Sequence, residues 1–340
     1  MLPMYSFFND YSESAHPRIL QALAEGGQQP GYGQDPCCAE AAAMIRGLCA
    51  APGADVHFAV GGTQANLLVI SALLRPYESV IAAETGHINV HETGAIEATG
   101  HKVCTVPSPD GKLTPDRIAS VADAHATEHM VLPRLVYLSQ TTEVGTLYTL
   151  EELAAIRRFC EKRGLLLYVD GARLGSALTA EGCGMALPDL AGLTDVFTIG
   201  GTKNGALFGE AIVFRRKQPA FRYMLKQRGA LLAKGWLLGV QFRELLRDGL
   251  YWDLARHAND MAALLRYGLA DRGCPFWTDS RSNQLFPILP NSLLTVLAKD
   301  YSFSTDHAVD ETRSCIRLVT SWATPQQAVE KFLQALPDRI

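Results

Sequence analysis

The stretch Leu165-Leu166-Leu167-Tyr168-Val169-Asp170-Gly171-Ala172-Arg173 decides the fold. Five apolar or aromatic residues run without a break into a carboxylate, then a glycine, then an arginine. A run this short and this apolar reads as a strand buried on both faces, the kind found inside a parallel sheet. A carboxylate at the end of such a strand is expensive to desolvate unless it meets a cation or hydrogen-bond donors. The segment therefore predicts both a layered α/β core and a polar site at the strand's carboxyl end.

Working outward, the same unit recurs: a short apolar run, then a longer amphipathic one. Candidate strands are Val56–Val60, Ser79–Ala83, Lys102–Val106, Leu135–Ser139, Leu165–Asp170, Asp195–Ile199 and Ala211–Phe214. Between them, helical patterns cover Gln64–Leu74, His87–Thr99, Thr114–Ala126 and Thr149–Arg163, the last opening with Thr149 three residues before Glu152, a capping-box spacing. After Phe214 the pattern changes. Lys217–Leu246 and Tyr251–Arg272 read as long helices, followed by a strand-like pair, Gln284–Ile288 and Ser314–Thr320, and a helix near Gln326–Leu336. The expectation is a large domain over residues 1–218 with a mostly parallel seven-stranded sheet. A linker helix and a small C-terminal α+β domain would occupy 219–340.

Composition narrows the function. The 340 residues are 48% hydrophobic and 19% charged with a net charge of −4, which argues against a surface built for nucleic acid. No run approaches the roughly 20 apolar residues of a membrane-spanning helix, and the start lacks a signal-peptide pattern. The eight cysteines form no CxxC pair and lie mostly in apolar segments. They read as buried free thiols of a cytoplasmic protein without a metal site.

In open parallel sheets, ligands bind beyond the carboxyl ends of the strands. Four polar features stand at those positions. Gly61-Gly62-Thr63-Gln64 joins a strand to a helix start, which suits a phosphate and equally suits a plain tight turn. Asp170 suits a protonated pyridine nitrogen, or a simple ion pair with Arg173. Ile199-Gly200-Gly201-Thr202-Lys203-Asn204-Gly205 crowds a lysine with small residues, as a Schiff-base lysine requires, although lone turn lysines are commoner. In Glu84-Thr85-Gly86-His87 the imidazole suits stacking on an aromatic cofactor, and Thr85 suits helix capping. Together they are the parts of one pyridoxal-phosphate (PLP) pocket.

The sequence resembles the fold-type I PLP enzymes, and among them the L-threonine aldolase, or β-eliminating lyase, family. The resemblance is carried by GYGQDP (Gly31–Pro36), VGGTQANL (Val60–Leu67), ETGHINVHETGA (Glu84–Ala95), VDGARLG (Val169–Gly175), GGTKNGALFGEAIVF (Gly200–Phe214) and IRLVTSW (Ile316–Trp322), in the family's order over most of the chain. It implies that Lys203 holds the cofactor as a Schiff base, that Asp170 pairs with the ring nitrogen, and that His87 stacks on the ring. It further implies that Gly62, Thr63 and Thr202 hold the phosphate, and that Arg317, assisted by Ser12 and Arg173, grips the substrate carboxylate. The implied activity is cleavage of L-threonine or L-allo-threonine to glycine and an aldehyde, in a homotetramer built from dimers. Basic residues of Lys226–Lys234 would reach a neighbouring subunit's phosphate. Other PLP outcomes on the same fold (elimination, racemisation, transamination) and a non-catalytic binding protein are the rival readings. One departure matters: Ser139-Gln140-Thr141-Thr142-Glu143-Val144-Gly145 has no histidine where many members carry one, which leaves Glu143, His91 or a water to deprotonate the β-hydroxyl.

Overall fold

The computed structural model describes residues 5–340. Its centre is a seven-stranded mixed sheet, with strands β1 (Asp55–Ala59), β2 (Glu78–Ala83), β3 (Val103–Val106), β4 (Leu132–Ser139), β5 (Leu166–Asp170), β6 (Val196–Gly200) and β7 (Glu210–Phe214). The spatial order is β1-β7-β6-β5-β4-β2-β3. β7 runs antiparallel to both neighbours, and every other pairing is parallel. All seven expected strands are present, and the mostly parallel arrangement holds.

The apolar runs are continuous because both faces are covered. Alternate residues go to opposite cores: Val136, Leu138, Leu167, Val169, Phe197 and Ile199 join one cluster. Leu135, Tyr137, Tyr168, Val196, Ile212 and Phe214 join the other. Register then aligns the functional ends. Ser139 pairs with Asp170 across β4 and β5, and Glu210 lies between Gly200 and Ala59 at the β6–β7–β1 edge. Because β7 is reversed, its first residue stands at the same sheet end as the last residues of its neighbours.

A smaller C-terminal unit has its own core, in which Leu265, Leu269, Leu285, Leu289, Ile316, Leu318, Val329 and Phe332 pack together with Phe7. Its antiparallel ladder joins Ile288–Pro290, Arg313–Val319 and Ser304–Ala308. The N-terminal segment crosses to this unit, with Tyr5-Ser6 pairing in parallel with Tyr301-Ser302.

Two helices differ from expectation. The Lys217–Leu246 pattern splits into Phe221–Gln227 and Trp236–Leu246, because Gly229 takes a left-handed φ of 73° and ends the first. The His87–Thr99 pattern keeps one turn, His87–Val90, and a 3-10 turn at Glu97–Thr99, since Thr93 and Gly94 both adopt positive φ. An unforeseen helix, Pro36–Leu48, starts on Asp35, whose side chain caps the Cys38 N–H, with proline at the first position. It buries Cys37 and Cys38. All eight cysteines are buried and free, as expected.

Candidate active site

At the carboxyl end of the sheet lies a cavity of about 200 Å³ whose wall includes Gly62, Thr63, His87, Asp170, Arg173, Thr202 and Lys203. Seven of the nine residues expected to form the site thus share one hollow. A larger hollow, about 570 Å³, lies against the Pro36–Leu48 helix and holds none of them. Here the chemistry of the wall, and not volume, marks the site.

Lys203 sits in the turn after β6. That turn leans directly on the one after β5: a side chain at Gly200 would strike the Ala172 backbone, and one at Gly171 would strike the Thr198 carbonyl. Only glycine permits the two turns to approach so closely. The Lys203 amine faces the cavity and not bulk solvent, and burial, then the nearby Arg173 charge, hold its pKa below the ordinary lysine range. A lysine so placed is a neutral amine more readily than a surface one, as a Schiff-base nucleophile must be.

Asp170 does not pair with Arg173. Its Oδ2 accepts the Tyr137 hydroxyl at 2.7 Å and an Asn66 amide N–H at 2.9 Å, and its Oδ1 accepts the Ala172 N–H at 2.9 Å. Two of these donors, Tyr137 and Asn66, belong to a closed ring of hydrogen bonds. Asn66 uses its second N–H on Glu92 at 2.7 Å, and Glu92 holds His87 Nδ1 at 2.7 Å. The His87 backbone N–H donates to Glu143 Oε1 at 2.8 Å. Ser139 then donates to Glu143 at 2.6 Å and stands 3.3 Å from the Tyr137 hydroxyl, which closes on Asp170. Tyr168 donates to the Asn66 carbonyl oxygen at 2.5 Å, which fixes the amide's orientation. Burial alone would lower the pKa of His87. The Glu92 hydrogen bond and the Asp170 and Glu92 charges overcome it and raise it instead. Thr85, the expected cap, leaves its hydroxyl buried without a partner, and the His87 turn is instead fixed through Glu143.

Arg173 pairs with Asp10, a nearly fully buried residue of the N-terminal segment, which also accepts an N–H from Asn283 at 2.9 Å. Burial would raise the Asp10 pKa, but the Arg173 and Lys203 charges hold it below the ordinary carboxylate range. Arg317 stands back from the cavity wall on the C-terminal ladder, close enough to feel Arg173 and Asp10, with its Nε buried and unpartnered. Ser12 does not reach the cavity wall: it is exposed and donates to Asn9 at 2.9 Å.

Sequence reading missed Asp10, Asn66, Glu92, Tyr137 and Glu210. Glu210 is the most consequential. It is 3% exposed at the start of β7, lines the cavity, and leaves Oε2 without a partner. Burial, then the Asp170 charge, push its pKa up to about 8 against the pull of Lys203. A charged residue opening the apolar run Ala211–Phe214 was the available signal.

The residues fit pyridoxal phosphate. Side-chain positions built on Gly61 and Gly62 meet nothing within 4 Å, so a phosphate has room against the start of the Gly62–Leu73 helix. Asp170, braced by its donors, and the Lys203 amine line the same cavity as that helix start.

The family described as beta-eliminating lyase matches residues 15–290. The chain is 42% identical over 272 residues to a low specificity L-threonine aldolase of Pseudomonas sp. (strain NCIMB 10558), covering 78% of each chain. It is similar to the solved threonine aldolase of Leishmania major, at 50% identity, with a TM-score of 0.96 over 97% of this chain and 98% of that one. An aspartate aminotransferase double mutant of Thermus thermophilus shares the fold at a TM-score of 0.71 and 17% identity, over 98% of this chain and 91% of that one. With its fold, its cavity and these likenesses together, the chain is a fold-type I, PLP-dependent member of the beta-eliminating lyase family.

Proposed function

We propose that this chain cleaves L-threonine and L-allo-threonine to glycine and acetaldehyde. The observation that carries the reading is the joint placement of Lys203, Asp170, His87 and the Gly62-Thr63 helix start around one cavity, in a chain similar over nearly its whole length to a threonine aldolase. Pyridoxal phosphate, when bound, supplies a ring that accepts the electron pair left at Cα.

The protein's own residues do the rest. Lys203 holds the cofactor covalently and gives way to the substrate amine. Asp170, oriented by three donors, pairs with the protonated ring nitrogen. Gly62, Thr63 and Thr202 hold the phosphate, and Thr202 is oriented by accepting the Gly209 N–H at 3.0 Å. His87, fixed at Nδ1 by Glu92, lies against the ring face. Arg317 holds the substrate carboxylate, its unpartnered Nε being the free prong, with Arg173 on the cavity wall assisting. Holding the carboxylate sets which bond at Cα is broken.

The division at residues 218 and 219, a cytoplasmic location and a homotetramer built from dimers belong to the same proposal. Exposed Lys226, Arg228 and Lys234 support the assembly, as side chains free to meet a neighbouring subunit. The eight free thiols support the location. A product assay with the cofactor-loaded protein tests the activity. Acetaldehyde and glycine in equal amounts are expected, while pyruvate and ammonia, the D-isomer or a keto acid would move the chain to another reaction.

A further inference from the structure

We propose that Glu143 is the proton acceptor for the substrate's β-hydroxyl, an assignment that rests on the aldolase reading above. The step needs a base on the cavity wall. The O–H bond breaks and its proton passes to the acceptor, while its electron pair becomes the second bond of the aldehyde carbonyl. The Cα–Cβ bond breaks with its pair retained on the Cα side, and a proton later returns to Cα to complete glycine.

Apart from Lys203, which serves the cofactor, the other candidates are each committed or placed elsewhere. Asp170 has both oxygens occupied by three donors. Glu210, with a pKa of about 8, keeps its proton at neutral pH. His87 spends Nδ1 on Glu92 and has a raised pKa, so it favours the donor form. His91 is exposed and is not on the wall. Ser139 and Thr141, also on the wall, are hydroxyls and not bases.

Glu143 lines the cavity beside them. Its Oε1 is pinned by the His87 N–H at 2.8 Å and the Ser139 hydroxyl at 2.6 Å, which orients the carboxylate and leaves Oε2 for the substrate. The titratable groups that surround it are Asp170, His87, Tyr137 and Tyr148. Burial, then the Asp170 charge, raise its pKa against the Ser139 and His87 hydrogen bonds. That direction suits a base working near neutral pH.

Glu143→Gln is the informative variant, because its amide oxygen can still accept both hydrogen bonds while losing basicity. The control reaction is exchange of the glycine α-proton with D2O, followed by NMR, which needs Lys203 and the cofactor but no β-hydroxyl. Threonine cleavage by E143Q should fall by about 100-fold or more, with glycine exchange within about threefold of wild type. In the cofactor-free protein, infrared difference spectra of wild type against E143Q should show a carboxyl titrating above the ordinary glutamate range. E143D should recover part of the cleavage with a displaced acid limb, and it decides the matter if E143Q does not load cofactor. Equal loss of cleavage and exchange, unchanged cleavage by E143Q, or an unmoved acid limb in E143D overturns the assignment. A wild type that exchanges glycine but releases no aldehyde from any β-hydroxy amino acid removes the aldolase reading itself.

Discussion

Arg173 follows Asp170 by three residues, yet its guanidinium turns away from that carboxylate and closes a two-pronged pair with Asp10, at 2.7 and 2.9 Å. Two consequences follow. Asp170 is left to be anchored by neutral donors, so its charge remains available to a cationic partner. The N-terminal segment, carrying Asp10, is tied by charge to the end of β5.

Removing the arginine should therefore destabilise the protein. Asp10 is 1% exposed and Arg173 14% exposed at the side chain, so Arg173→Ala strands a buried charge. The cost should be about 3–5 kcal/mol, read as a lower urea midpoint at neutral pH.

The same pair sets an acid limb of stability. The folded-state pKa of Asp10 lies below its unfolded value of about 3.9. Its contribution is thus complete above the unfolded value and is lost as pH falls through the lower folded one. Asp10→Asn should flatten this part of the acid unfolding curve, which a melting series below pH 5 would show.

Glu210 acts in the opposite sense. Its folded pKa, about 8, lies above the unfolded one, so the folded state keeps a proton that the unfolded chain releases. Stability should decline on this account as pH rises from the ordinary glutamate range toward 8. Glu210→Gln should remove that slope and leave the variant relatively more stable at pH 8 than at pH 5. Above pH 8, where Glu210 is ionised, the same substitution withdraws a carboxylate that raises the Lys203 pKa, so the amine should react faster there with a lysine-directed reagent in the cofactor-free protein.

Asn66 is the joint of the hydrogen-bond ring, donating at once to Asp170 and Glu92. Asn66→Ala leaves both buried carboxylates short of a donor. It should cost on the order of 1–3 kcal/mol by thermal melting, and weaken cofactor retention on dialysis.

Arg317→Ala should act on substrate binding more than on the fold, since its guanidinium forms no ion pair among the described residues. A loss on the order of 2–5 kcal/mol in amino-acid affinity is expected, measured as a rise in the glycine dissociation constant.

Much of this was legible in the sequence because it is written locally. Leu165–Asp170 announces a buried strand with a polar end, and Gly200-Gly201-Thr202-Lys203 announces a lysine held where only small neighbours fit. The partners were not legible, because they arrive from distant segments. Asp10 meets Arg173 across 163 positions, and Asn66 meets Asp170 across 104. Spacing along the chain allowed an Asp170–Arg173 pair, and tertiary packing chose otherwise. Glu210 reaches the site only because β7 is antiparallel, which no local pattern reveals. The broken helix after Phe214 was missed for another reason: Gly229 takes a left-handed φ that a continuous helix excludes, and helical spacing alone does not show it.

The most direct test of the account is to reduce the cofactor-loaded protein with borohydride, digest it, and locate the modified peptide by mass spectrometry. One pyridoxyl group per chain is expected, on Lys203, and none in Lys203→Ala. A pyridoxyl group on any other lysine, or full incorporation in Lys203→Ala, would contradict it.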